Sequence, residues 1–128
     1  MYFHLASTLH TPEVQINLTE RTFLMRGACF PENAMEFFEP IVRFLKENLP
    51  HLNPPHLHLH LELTYLNSAA KKAFWQLMSF LLDQGVCLRV SLYRGTEDDE
   101  LEDYEGLLQV WESDRRVQIE WREGYYQT

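Results

Sequence analysis

The chain has 128 residues, 45% apolar and 13% aromatic, with eleven Lys and Arg against nineteen Asp and Glu for a formal net charge of −8. This length suits one domain over 1–128; the apolar content excludes a disordered chain, and no apolar stretch is long enough to cross a bilayer. The negative balance disfavours phosphate-backbone binding, which needs a basic patch to replace condensed counterions, so neither nucleic acid nor membrane is an expected partner.

Along the chain, the first residues, Met1-Tyr2-Phe3-His4-Leu5-Ala6, carry no basic n-region and no long apolar h-region, so the expected location is the cytoplasm. Two strands follow. Val14, Ile16 and Leu18 alternate with Gln15 and Asn17, and Phe23 and Met25 alternate with Leu24 and Arg26, with Thr19-Glu20-Arg21 as the turn of a hairpin. Asn33 with Glu36 then reads as a capping-box-like helix start ahead of Ala34, Phe37, Phe38, Ile41, Leu45 and Leu49 at helical spacing, and Pro40 kinks this helix or marks its first turns.

After the Pro50 to Pro55 loop, a third strand sets Leu57, Leu59, Leu61, Leu63 and Tyr65 on one side and His56, His58, His60, Glu62 and Thr64 on the other. A second helix follows Asn67-Ser68, burying Ala70, Ala73, Phe74, Leu77, Met78 and Leu81 and stopping at Gly85. Val86, Leu88, Val90 and Leu92 form the apolar side of a fourth strand. A third helix starts in the acidic run Glu97-Asp98-Asp99-Glu100 and turns Leu101, Tyr104, Leu108 and Trp111 inward; Val117, Ile119 and Trp121 mark a fifth strand. The order is β-β-α-β-α-β-α-β. Strands of a parallel sheet covered on both faces would be continuously apolar, so the alternation predicts a two-layer α/β fold: a mixed sheet of about five strands with helices on one face and the other face wet.

Several residue groups suggest chemistry. His56, His58 and His60 project from one side of one strand, a possible metal site with Glu62 as a fourth ligand, although same-side neighbours lie nearly seven ångströms apart and converge poorly; three histidines on a solvated face explain the pattern equally well. The carboxylates of Glu97 to Glu105 suit a solvated helix start better than an acid/base pair in a cleft. The five glycines are isolated, giving no phosphate-binding loop or dinucleotide fingerprint, and no serine lies in a nucleophile elbow. No cofactor or catalytic group is expected. Cys29 and Cys87 lack partner spacing and read as small buried hydrophobes.

The turn Asn67-Ser68-Ala69-Ala70-Lys71-Lys72 differs. Asn67 or Ser68 can act as N-cap, the commoner role for such residues. Lys71 and Lys72 are unusual in a first helical turn, where cations oppose the macrodipole. A phosphoryl group on Ser68 would place close to two negative charges at the positive helix end, with lysines three and four residues on to pair with it. Those lysines could equally be exposed and unpaired.

Three blocks carry a family resemblance: Thr11-Pro12-Glu13-Val14; Gly27-Ala28-Cys29-Phe30-Pro31-Glu32-Asn33-Ala34 with Glu36-Phe37-Phe38-Glu39-Pro40; and Leu63-Thr64-Tyr65-Leu66-Asn67-Ser68-Ala69-Ala70-Lys71-Lys72. On these the chain resembles the SiaC-type regulatory phosphoproteins of bacteria, from about Thr11 to the last strand and weakly beyond Tyr93. Phe30 stands where the family often has Tyr, and Ala69-Ala70 replaces small hydroxyl residues, leaving Ser68 as the hydroxyl of the turn. The histidine strand is no feature of the resemblance. The resemblance implies a layout like the STAS-type anti-sigma-factor antagonists, Ser68 as phosphoacceptor, and Asn67 to Lys72 as the partner-binding turn. It further implies a Ser/Thr kinase of the histidine-kinase-like ATPase class, a PP2C-like phosphatase, and as output partner a diguanylate cyclase that raises cyclic di-GMP and favours biofilm. The chain itself would be no enzyme.

Overall fold

Six strands form one sheet whose order across the sheet, β1-β2-β3-β4-β5-β6, copies their order in the chain. They are β1 (Tyr2–Leu5), β2 (Glu13–Asn17), β3 (Thr22–Cys29), β4 (His56–Leu66), β5 (Cys87–Arg94) and β6 (Val117–Glu123), with α1 (Ala34–Asn48) between β3 and β4 and α2 (Ser68–Asp83) between β4 and β5. The first three strands pair antiparallel and the last four pair parallel. The parallel pairs β3-β4 and β4-β5 need crossovers, which the two helices supply. The computed structural model describes residues 1–94 and 107–126. The expected third-helix start, with the carboxylates of Glu97 to Glu105 and the inward residues Leu101 and Tyr104, lies outside the described residues, while Leu108 and Trp111 are buried as expected.

The core sits between the sheet and the two helices. Val14, Ile16, Phe23, Met25, Leu59, Leu61 and Val90 are fully buried on the sheet side, against Ile41 and Leu45 of α1 and Ala70, Phe74, Met78 and Leu81 of α2. Asn33 caps α1, its Oδ1 accepting from the Glu36 amide at 3.1 Å, and the helix continues through Pro40 in its second turn.

The structure corrects the sequence reading in several places. Among the described residues there are six strands, because Tyr2–Leu5 pairs with β2, placing Phe3 opposite Ile16 and Leu5 opposite Val14. Tyr65 is half exposed rather than inward. The β3-β4 register steps from Gly27↔Leu63 to Ala28↔Tyr65, so Thr64 is an extra residue and the bulge returns Leu66, not Tyr65, to the core. Cys29 is buried, its thiol pushed up to about 12 by desolvation, but Cys87 is exposed at the start of β5. Trp121 retains 41% exposure, its ring facing the Arg94 guanidinium at 4.8 Å.

The sheet face away from the helices is only partly wet. Leu24, His60, Ser91 and Tyr93 are buried there. Ser91 Oγ donates to Glu120 Oε1 at 2.7 Å, and its single proton is then spent, so the 2.6 Å contact with His58 must be donated by His58 Nε2. His60 Nδ1 shares a 2.8 Å hydrogen bond with Tyr93 OH. Tyr126 closes over the group, its ring 4.5 Å from that of His60 and its carbonyl accepting from Arg26 at 3.0 Å.

Candidate functional site

The residues flanking Ser68 are set by the end of β4. Gly27 takes φ +119, a backbone state that L side chains rarely adopt, beside the extra residue Thr64. Past this bulge the Asn67 amide donates to the Cys29 carbonyl at 3.2 Å, tying the start of α2 to the end of β3. The second and third blocks, separated in sequence by residues 41–62, therefore meet at the carboxyl end of the two central strands. His10 and Tyr65 each lie edge-on to Phe30, at 4.9 and 5.4 Å, and brace the same end of these strands.

The choice of cap is settled by geometry. Asn67 has extended backbone and its Oδ1 accepts from the Ala70 amide at 2.8 Å, so Asn67 is the N-cap and Ser68 is the first helical residue. Ser68 is exposed, and its hydroxyl is not required by the cap. The first turn of α2 holds no acidic residue, so the partial positive charge of the helix end is uncompensated. Lys71 and Lys72 stand three and four residues on, near the Ser68 face of the helix; Lys71 is half-buried and Lys72 exposed. Ala69 is exposed. Ala70 is fully buried against the core.

Beside this turn the starts of α1 and α2 form a cleft of about 340 Å³ between Glu32, Asn33 and Met35 on one side and Ala69, Lys72 and Gln76 on the other. It continues between the helices into a groove of about 660 Å³ lined by Phe38, Val42 and Lys46, among others. Met35, 74% exposed, stands at their junction. Met35 is not among the apolar residues read for α1 from the sequence; a large apolar side chain off that stripe was the signal.

The three histidines of β4 meet different surroundings. His58 and His60 spend ring nitrogens on Ser91 and Tyr93, and their rings lie 3.9 Å apart. His56 is exposed at the far end of β4, and Glu62 accepts from Arg26 at 2.6 Å. Among the described residues no three ligating groups converge as a metal would need. Desolvation, followed by His58 and then Arg122, pushes His60 down to about 4; desolvation and Arg89 lower His58. Hydrogen bonds from Ser91 and Arg89 hold Glu120 down to about 2.

The family model described as "SiaC family regulatory phosphoprotein" matches residues 5–112. A curated uncharacterised protein of Pseudomonas aeruginosa is 31% identical over 78 residues, a stretch that spans 61% of this chain and 61% of that relative. Among solved structures, SiaC of Pseudomonas aeruginosa superposes with a TM-score of 0.75 at 21% identity, covering 97% of this chain and 99% of that one. SiaC in the crystal structure of the diguanylate cyclase SiaD with its activator SiaC, from the same organism, gives 0.73 at 21% identity over 94% and 99%. These likenesses establish the fold. No helix among the described residues is long and apolar enough to cross a membrane.

Proposed function

This chain belongs to the SiaC family of regulatory phosphoproteins, and from that premise we propose that it is a non-enzymatic cytoplasmic switch controlled by reversible phosphorylation of Ser68. The observation that carries this reading is the division of labour at the turn: Asn67 caps the helix, and the Ser68 hydroxyl beside it is exposed at an uncompensated helix start. A phosphoryl group there would be held by first-turn amides and attracted by Lys71 and Lys72. It would also set close to two negative charges at the mouth of the cleft between Met35 and Lys72.

In this reading the unphosphorylated chain docks its output partner across Asn67, Ser68, Ala69 and Lys72 and into the inter-helix groove, and the phosphate blocks docking by charge and bulk. SiaC is an activator of the diguanylate cyclase SiaD; by analogy the output partner is a diguanylate cyclase and the output a change in cyclic di-GMP. A Ser/Thr kinase of the histidine-kinase-like ATPase class adds the phosphate and a PP2C-like phosphatase removes it.

Intact-mass analysis after incubation with the cognate kinase and ATP tests the site. The expected result is a single phosphoryl gain that Ser68→Ala abolishes; no gain, or one that Ser68→Ala leaves in place, removes Ser68 as acceptor. Partner affinity tests the switch separately. Ser68→Asp is expected to weaken docking, and unchanged affinity would reduce the chain to a constitutive binding module.

A further inference from the structure

At the end of β4 opposite to Ser68 lies a second concavity. Ser68 lies ten residues beyond His58, roughly 33 Å of extended chain at about 3.3 Å per residue. Here Thr22, His58, Arg89 and Gln118 are successive partners across β3, β4, β5 and β6, one hydrogen-bonded row over four strands. Below this row a groove of about 530 Å³ is bounded by Arg21, His56, Arg115 and Arg116.

The charge of this groove runs against that of the chain. Among the described residues, four arginines line it against one acidic side chain, Glu20. The pairing of these arginines leaves positive charge in excess. Arg21 donates to the backbone carbonyls of Asn53 and Pro54, acceptors that carry no formal charge. Arg115 is exposed and has no ion-pair partner among the described residues. Arg89 shares the Glu120 carboxylate with Arg122, so one negative charge answers two guanidiniums. Of the four, among the described residues, Arg116 alone has a carboxylate to itself, Asp114 at 2.9 Å.

The backbone supports the same point. Arg21 sits at φ +60, a left-handed conformation uncommon for a long side chain, and its guanidinium is fixed by two carbonyls at the groove edge. A guanidinium immobilised in this way loses little further freedom when it binds an anion, and planar guanidiniums suit phosphate oxygens in pairs. The volume falls within the roughly 300–1,000 Å³ common for small-molecule sites.

We propose that the basic groove between Arg21, Arg89, Arg115 and Arg116 binds a phosphate-bearing small molecule of nucleotide size, at a site separate from the Ser68 turn. The proposal does not depend on phosphorylation of Ser68. In an acidic protein such a groove is where an anion is attracted rather than repelled, and the attraction weakens with salt because the groove is open to solvent.

The test is a titration of the full chain with ATP and, separately, with inorganic pyrophosphate, followed by calorimetry and by backbone amide shifts. Saturable binding that weakens as salt is raised is expected, with the largest shifts at Thr22, His56 to His58, Arg89 and Arg116. Arg115→Ala, which removes an exposed side chain without a structural partner, should weaken binding about tenfold, the loss of one charge-assisted contact. Shifts confined to Ser68–Lys72 would place the anion at the α2 start and overturn the proposal, as would binding unaffected by both Arg115→Ala and Arg89→Ala. A glutamate-rich peptide that binds this groove while ATP and pyrophosphate do not would assign it to an acidic protein segment instead, and the small-molecule reading would be lost.

Discussion

The two faces of the sheet are built from alternate residues of the same strands, and they close in different ways. Toward the helices, Leu57, Leu59, Leu61 and Leu63 of β4 meet aliphatic and aromatic side chains of α1 and α2, and burial needs nothing beyond shape. Toward the other side, His58, His60 and Glu62 of the same strand are partly or fully covered only because each finds a hydrogen-bond partner: Ser91, Tyr93 and Arg26. Period-two alternation states which residues share a face. It does not state whether the polar face is wet.

This contrast can be broken from the apolar side most forcefully. Phe74 is fully buried in α2 and among the largest side chains of the core. Phe74→Ala should cost about 3–5 kcal/mol, read as a lowered denaturant midpoint with an unchanged slope.

The polar face breaks by titration instead. His60 is held at about 4 in the folded chain against an ordinary 6.5, so the unfolded chain takes up a proton first as the medium acidifies. Its contribution to stability is complete above pH 6.5 and is lost as pH falls toward 4. Glu120, held near 2, extends the loss below 4.5. Melting temperatures measured from pH 7 to pH 4 should therefore fall, and His60→Gln should flatten the slope over that window. An equal slope in that variant would mean that other groups govern acid stability.

The smallest effects sharpen the comparison at the α2 start. Asn67→Ala removes the cap and should cost about 1 kcal/mol. Ser68→Ala, one residue on, should stay within about 0.5 kcal/mol because its hydroxyl is not used by the fold. Equal losses at the two positions would contradict the division between cap and acceptor. Chemical denaturation of the two variants side by side measures this.

Much of this arrangement was legible before any coordinates. Five of the six strands and both described helices follow from apolar spacing, and the two helix starts from Asn33 and from the pair Asn67-Ser68. β1 was not legible, since four residues with Phe3 and Leu5 half-buried give too short an alternation, and only the ladder to β2 defines it. Tyr65 was misplaced because one extra residue inverts every later side chain, and a bulge leaves little trace beyond Gly27 on the neighbouring strand. Asn67 and Ser68 are both good caps by residue type, so only the bond from the Ala70 amide separates them. The basic groove was invisible for a different reason: Arg21, Arg89 and Arg115 come from three distant segments, and the chain's charge points the other way.

A sheet whose spatial order copies its chain order has a kinetic consequence. Every ladder joins neighbouring strands of the chain, so each pairing can form as soon as its second strand is available, and none waits for a segment made much later. During synthesis, β1 to β5 with both helices can assemble before β6 exists. The bond from Arg26 to Tyr126, a hundred residues apart, is the exception. It makes the cover over His60 a contact that must wait for β6 and the residues just after it.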